Sequence, residues 1–171
     1  MILRASPLRS LDRCSRWQHP STYDTKCKTY AGGKNLQSLR DSVDWREFNA
    51  VTPVQKQGKC ASCWAFSVIG AVEGITKIKT GRLIPLSVQE LIDCDNANMG
   101  CNKGLRSLAF EYIKDYGVAS KEDYPYKERV GFFCKQYYKK RAATITGYEW
   151  VPAFSEHALM KPYLGSQFLS P

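Results

Sequence analysis

The sequence predicts an α+β fold, on three observations. Apolar residues recur at helical spacing over 63–79, and two shorter helical patterns follow at 87–93 and 105–116. The run 142–151, AATITGYEWV, is rich in β-branched and aromatic residues and reads as a strand.

The elements follow in order. Residues 1–40 show no sustained period, with Gly32 and Gly33 as breaks, and read as a basic leader. Order begins at SVDWREFNAVTPV, where Pro53 blocks a helix and leaves extended chain and turns. QKQGKCAS is a polar loop broken at Gly58. In the first helix Trp64, Val68, Ala71 and Ile75 fall on one line, and Phe66, Ile69 and Val72 widen it. So broad an apolar face predicts a central, buried helix. Thr80-Gly81 supplies its end, with glycine just past the last turn. Ser87 then reads as an N-cap, with Glu90 three residues later completing a capping box. The stretch 94–104 is an Asn- and Gly-rich loop. Leu105, Leu108, Ala109, Tyr112 and Ile113 mark the third helix, stopped by Gly117. The stretch 124–133 is irregular.

Composition excludes some functions. At 43% apolar and 24% charged over 171 residues, the chain has the make-up of one globular domain. No run approaches the roughly eighteen apolar residues of a membrane span. The net charge of +9 is uneven. Residues 1–40 hold eight Lys/Arg against two Asp/Glu, a solvated tail or else an arm for nucleic acid or an anionic membrane. The body shows no basic stripe interleaved with aromatics, which argues against a nucleic-acid partner. The amino terminus, MILRASPLRSLDRCSRW, is broken by charges and makes no secretory signal. Of seven cysteines, Cys60, Cys63, Cys94, Cys101 and Cys134 lie in the body, which suits two disulfides and one free thiol. An odd cysteine is a candidate nucleophile, and disulfides imply an oxidising compartment.

Cys63 is placed for such chemistry. A thiol attacks as thiolate, and the unpaired N–H groups and dipole at a helix start favour negative charge there. Six residues upstream, Gln57 offers a side-chain amide on the same loop. With the nucleophile's own N–H it would stabilise the oxyanion of a tetrahedral intermediate. A zinc half-site at Cys60 and Cys63 fits less well, because Cys94 and Cys101 lie seven apart and no histidine is near. A redox pair would need a strand directly before the motif, where Pro53 and a polar loop stand. No metal and no organic cofactor are called for.

The string QGKCASCWAF, at 57–66, resembles the papain and cathepsin L family of cysteine proteases. Further matching strings run in order from VDWREFNAVTPV through SVQELIDCDNANMGCNKG and YPYKERVGFFC to ITGYEWVPA. Two positions depart: Ala61 stands where the family pattern has glycine, and Lys103 replaces the first of two glycines. Lys103 points to solvent, or else it clashes with a substrate or favours acidic side chains in one.

The resemblance implies a papain-like fold, essentially the mostly helical left domain over 41–160 with a fragment of the right β domain, and a divergent tail at 161–171. It implies cysteine-type endopeptidase activity, with Cys63 as nucleophile and Gln57 as oxyanion donor. Gly104, Asn102 and Trp64 would meet the substrate. Cys60 would pair with Cys101, and Cys94 with Cys134. Partners would be peptide or protein substrates and protein protease inhibitors, in a lysosome, a vacuole or outside the cell. The family histidine and its asparagine lie about 130–150 residues after the cysteine. That window falls past Pro171, so the 171 residues are expected to be inactive as written. The alternative is a non-catalytic truncated homologue that binds protease partners or inhibitors. His19 lies in the leader, and His157, in SEHALM, is expected to be structural.

Overall fold

A computed structural model describes residues 2–4, 42–151 and 153–154, the first three by backbone alone. His19, Cys14, Cys27, His157 and the tail 161–171 lie outside the described residues. Three helices, α1 (Cys63–Thr80), α2 (Val88–Cys94) and α3 (Arg106–Tyr116), enclose the core. Four short strands complete it: β1 (Ile2–Arg4), β2 (Val118–Ala119), β3 (Arg141–Ala143) and β4 (Gly147–Glu149). Antiparallel pairs join β1 to β4 and β2 to β3.

The helices begin and end within one residue of the boundaries that their sequence signals predict. Gly81 closes α1 at φ 73°, its N–H bonded to Lys77 O. That left-handed conformation is the reason for glycine there. Trp64, Ala65, Val68, Ile69, Val72 and Ile75 of α1 are buried against Leu91 and Ile92 of α2 and Ala109, Phe110 and Ile113 of α3. Ala71, predicted on that face, is exposed. It shares an open stripe with Cys63, Ser67 and Gly70, because the true buried stripe runs through 65, 69 and 72.

Two expectations are corrected. The single strand at 142–151 is two strands in separate sheets. Ile145, between them, turns into the core and Thr144 Oγ1 bonds Ile113 O, so the chain changes partner there. The capping box is half formed. Ser87 Oγ accepts from Glu90 N at 3.0 Å, but Ser87 N–H donates to Ala119 O. The Glu90 carboxylate turns inward instead, to Ala119 N–H, Tyr112 OH and the Arg141 guanidinium. With 0% exposure it has found a full set of tertiary partners.

A second acid is buried in α1. Glu73 accepts from Thr52 Oγ1 at 2.6 Å and from Leu86 N at 2.8 Å, tying the entry chain and the α1–α2 connection to the helix. Burial raises its pKa above the usual carboxylate value, and those hydrogen bonds and Lys121 offset only part of the shift. The folded state therefore holds this proton more tightly than the unfolded state. Its contribution to stability falls as pH rises from the unfolded value through the raised folded one. Glu73→Gln keeps a hydrogen-bonding amide and removes the charge. Melting temperatures of variant and parent, taken from about pH 4 to about pH 7, should diverge in the variant's favour as pH rises. A pH-independent difference would contradict this.

Candidate active site

The site grows out of one loop and one helix start. Cys63 is the first residue of α1, exposed, and the free cysteine among the described residues. Ahead of it Ser62 is wholly buried, and its carbonyl accepts from Ala65 N and Phe66 N. The N–H groups of Cys63 and Trp64 precede the helix's own ladder and so open toward the loop side. Two crosslinks hold this geometry. Cys60 is joined to Cys101 (S–S 2.03 Å), and Ala61 N donates to Cys101 O at 2.9 Å. A second disulfide joins Cys94, at the end of α2, to Cys134.

Opposite the loop stands Gly104. A β-carbon there would come within 2.4 Å of the Trp64 indole, so the backbone can lie flat on that ring only as glycine. Trp64 is 2% exposed and donates from Nε1 to Gly100 O at 3.1 Å. It is thus the floor under Gly104 rather than an open face of its own. Asn102 is exposed and turned by its N–H bond to Met99 O. Lys103 is also exposed, and among the described residues its side chain has no ion-pair partner. Ala61 is not among the side-chain-bearing residues at positive φ, which are Asn49, Glu128 and Phe154 among those described. The departure from glycine at 61 therefore carries no left-handed strain.

Two residues shape the site without any signal in the local sequence. Tyr126 OH donates to Gln57 O at 2.6 Å and lies 2.9 Å from Ser62 Oγ, with its ring edge-on to Phe66. It spans the loop from Gln57, the predicted oxyanion donor, to the residue before Cys63. Asn98 clamps the other wall. Its Oδ1 accepts from Leu105 N at 2.6 Å, and its Nδ2 donates to Asp95 Oδ2 at 2.6 Å. That fixes the chain directly after Gly104. Both partners are far off in sequence from what they hold or sit in an irregular loop, where no periodicity points to them. Gly58, at φ 66° under the Glu128 carboxylate, makes the turn into the loop. Among the described residues no group of three or more His, Cys, Asp or Glu is placed to hold a metal ion. None of their helices is long and apolar enough to cross a membrane.

A free thiol at a helix start, a disulfide three residues before it and a glycine packed on the Trp64 ring are the features gathered here. Residues 39–167 match the family model described as papain family cysteine protease, and the chain belongs to that family. It is 50% identical over 132 residues to the cysteine endopeptidase RepA of Oryza sativa subsp. japonica, covering 76% of this chain and 35% of that one. To vignain of Phaseolus vulgaris it is 51% identical over 130 residues, 75% of this chain and 36% of the relative. Among solved structures, a recombinant stem bromelain precursor superposes with a TM-score of 0.69 at 46% identity, over 71% of this chain and 40% of that one. The bromelain protease from Ananas comosus, solved with an inhibitor, gives 0.65 at 46% identity, over 68% of this chain and 54% of that one. The chain thus spans about a third of the length of the curated relatives it matches. Its fold is α+β, as the helical domain of papain-like proteases.

Proposed function

We propose that these residues form the nucleophile-bearing half of a cysteine-type endopeptidase that cleaves extended peptide. The observation that carries it is the exposed, unpaired Cys63 at the first residue of α1, beside a loop held by the Cys60–Cys101 disulfide and the Tyr126–Gln57 hydrogen bond. In the proposed reaction Cys63 gives its thiol proton to a histidine and its Sγ bonds to the scissile carbonyl carbon, while Gln57 and the Cys63 N–H face the developing oxyanion. The C–N bond breaks, and the amine leaves with a proton from a histidine. Water then hydrolyses the thioester, releasing the acid and restoring the thiol. Gly104 and Asn102 would pair with substrate backbone, above the Trp64 floor.

The histidine and its asparagine belong, by family spacing, past about residue 190. The 171 residues alone are therefore proposed not to turn over, while retaining a modifiable Cys63. Family kinship favours a lysosome, a vacuole or the cell exterior. One relative of Arabidopsis thaliana is named a KDEL-tailed cysteine endopeptidase, and the paired cysteines suit an oxidising space.

The test expresses the 171 residues and, separately, the whole reading frame of the gene, each with a Cys63→Ser control. Hydrolysis of a blocked fluorogenic dipeptide amide should come from the whole frame only and vanish in Cys63→Ser. In the 171-residue chain, alkylation without reduction followed by peptide mapping should mark Cys63 and spare Cys60, Cys94, Cys101 and Cys134. Cleavage that survives Cys63→Ser would reject the nucleophile, and turnover by the 171 residues would reject their proposed inactivity.

A further inference from the structure

The segment 124–141 is unlike the rest of the body. It carries six Lys/Arg against one acid, Glu128, and interleaves them with aromatic residues. It corrects the expectation that the body has no basic stripe interleaved with aromatics, because an irregular loop offers no period to reveal one. Phe132 is 97% exposed and Phe133 79%, directly before the Cys94–Cys134 disulfide. Both line a cavity of about 240 Å³ with Val130, Lys127, Arg129 and Lys135.

The charge around this cavity is unbalanced. Among the described residues no carboxylate lies within ion-pair distance of Lys127, Arg129 or Lys135. Glu128 is turned away, its carboxylate lying over Gly58. Asp93, on the cavity wall, is occupied by the Gln89 amide, Gly131 N–H and Tyr124 OH. Two exposed phenylalanines beside three cations that make no ion pair among the described residues match one kind of surface. Aromatic rings enter the boundary between headgroups and acyl chains, and cations gain from the anionic headgroups. A strand of nucleic acid would want cations drawn out along a groove with aromatics as stacking platforms. Here the cations ring a single concavity, and the two rings line it while staying largely exposed.

We propose that the 127–135 loop docks the protein on bilayers that carry anionic phospholipid, with Phe132 and Phe133 as the inserted wedge. The disulfide at Cys134 and the Gln89 bonds to Lys127 N and Arg129 O hold the loop's ends, so the rings are presented from a fixed base. This docking is independent of the proteolytic reading of Cys63.

The experiment is co-sedimentation of the full 171-residue chain with phosphatidylcholine vesicles, alone or with about one-third phosphatidylserine. Partition onto the mixed vesicles should exceed that onto neutral ones by about tenfold, and Phe132→Ser/Phe133→Ser should lower it by about tenfold. Lys127→Glu/Arg129→Glu/Lys135→Glu should cut the dependence on phosphatidylserine to the part that residues 1–40 supply. Far-UV circular dichroism and the Cys94–Cys134 link should be unchanged in both variants. Residues 1–40 keep their basic charge throughout, so their attraction to the vesicles is a constant background. Unchanged binding of the phenylalanine variant would assign the affinity to that background and overturn the proposal. So would capture of a single-stranded oligonucleotide in place of vesicles, or self-association lost in the variant with no vesicle partition in the parent.

Discussion

Cutting the Cys60–Cys101 bridge with Cys60→Ala/Cys101→Ala is expected to destabilise the domain by about 4 kcal/mol, the entropy of releasing a loop of this length. The two cysteines are 41 residues apart, and between them lie all of α1 and α2. A small domain has only about 5–15 kcal/mol to lose, so this change alone takes it near the unfolding threshold. The Cys94–Cys134 bridge closes a span of 40 residues, and loop entropy gives Cys94→Ala/Cys134→Ala nearly the same penalty. The two double variants separate stability from site geometry. Cys60 and Cys101 each lie three residues before a site residue, Cys63 and Gly104. Only loss of that bridge should alter the rate at which Cys63 is alkylated under native conditions. Denaturant melts and alkylation rates on both variants check the pair of expectations. Equal changes in alkylation rate would show that the first bridge does no more for the site than the second.

Arg141→Met should cost roughly 3 kcal/mol, because it strands a buried carboxylate. Glu90 has no exposure, and Arg141 is the one cation that reaches it among the described residues. Ala119 N–H and Tyr112 OH would remain as hydrogen-bond donors without neutralising the charge. Methionine keeps most of the arginine stem, so the loss reports the charge rather than packing. Arg141 sits on β3 opposite Ala119 on β2, and its side chain also bonds Gln136 O and Lys139 O. The same change thus loosens the segment that carries the chain back to the core. A double-mutant cycle with Glu90→Gln isolates the pair: the double variant should be clearly more stable than the sum of single losses predicts. Strict additivity would show that the two side chains act independently.

These two residues also mark how far local sequence could be read. The helices were legible because their signals are local. An apolar residue every three or four positions, Ser87 before α2, and Gly81 and Gly117 after α1 and α3 each act within a turn or two. Cys63 stood out because an odd thiol at the start of a strongly apolar helix needs no distant information. Gln57 stood out as a side-chain amide on the loop before Cys63, whereas the role of Gly104 and the cysteine pairs came through resemblance, since nothing in their spacing selects a partner. Glu90 was misread for the opposite reason. Its spacing from Ser87 fits a capping box, and a local rule has no knowledge of Arg141, 51 residues on. The strand at 142–151 was read as one for the same cause: its composition favours extended chain, but which backbone it pairs with is not a local property.

Local sequence therefore decided where the helices begin and end, which thiol is exposed at a helix start, and which family the chain resembles. Tertiary structure decided the rest: that Tyr126 spans Gln57 and Ser62, that Asn98 anchors the wall behind Gly104, and that the buried acids Glu73 and Glu90 join separate segments. The physical reason is range. Capping and amphipathic spacing act across a few bonds, whereas a buried carboxylate or a hydroxyl must be satisfied by whatever donor the packed core brings within about 3 Å, however far away it lies along the chain.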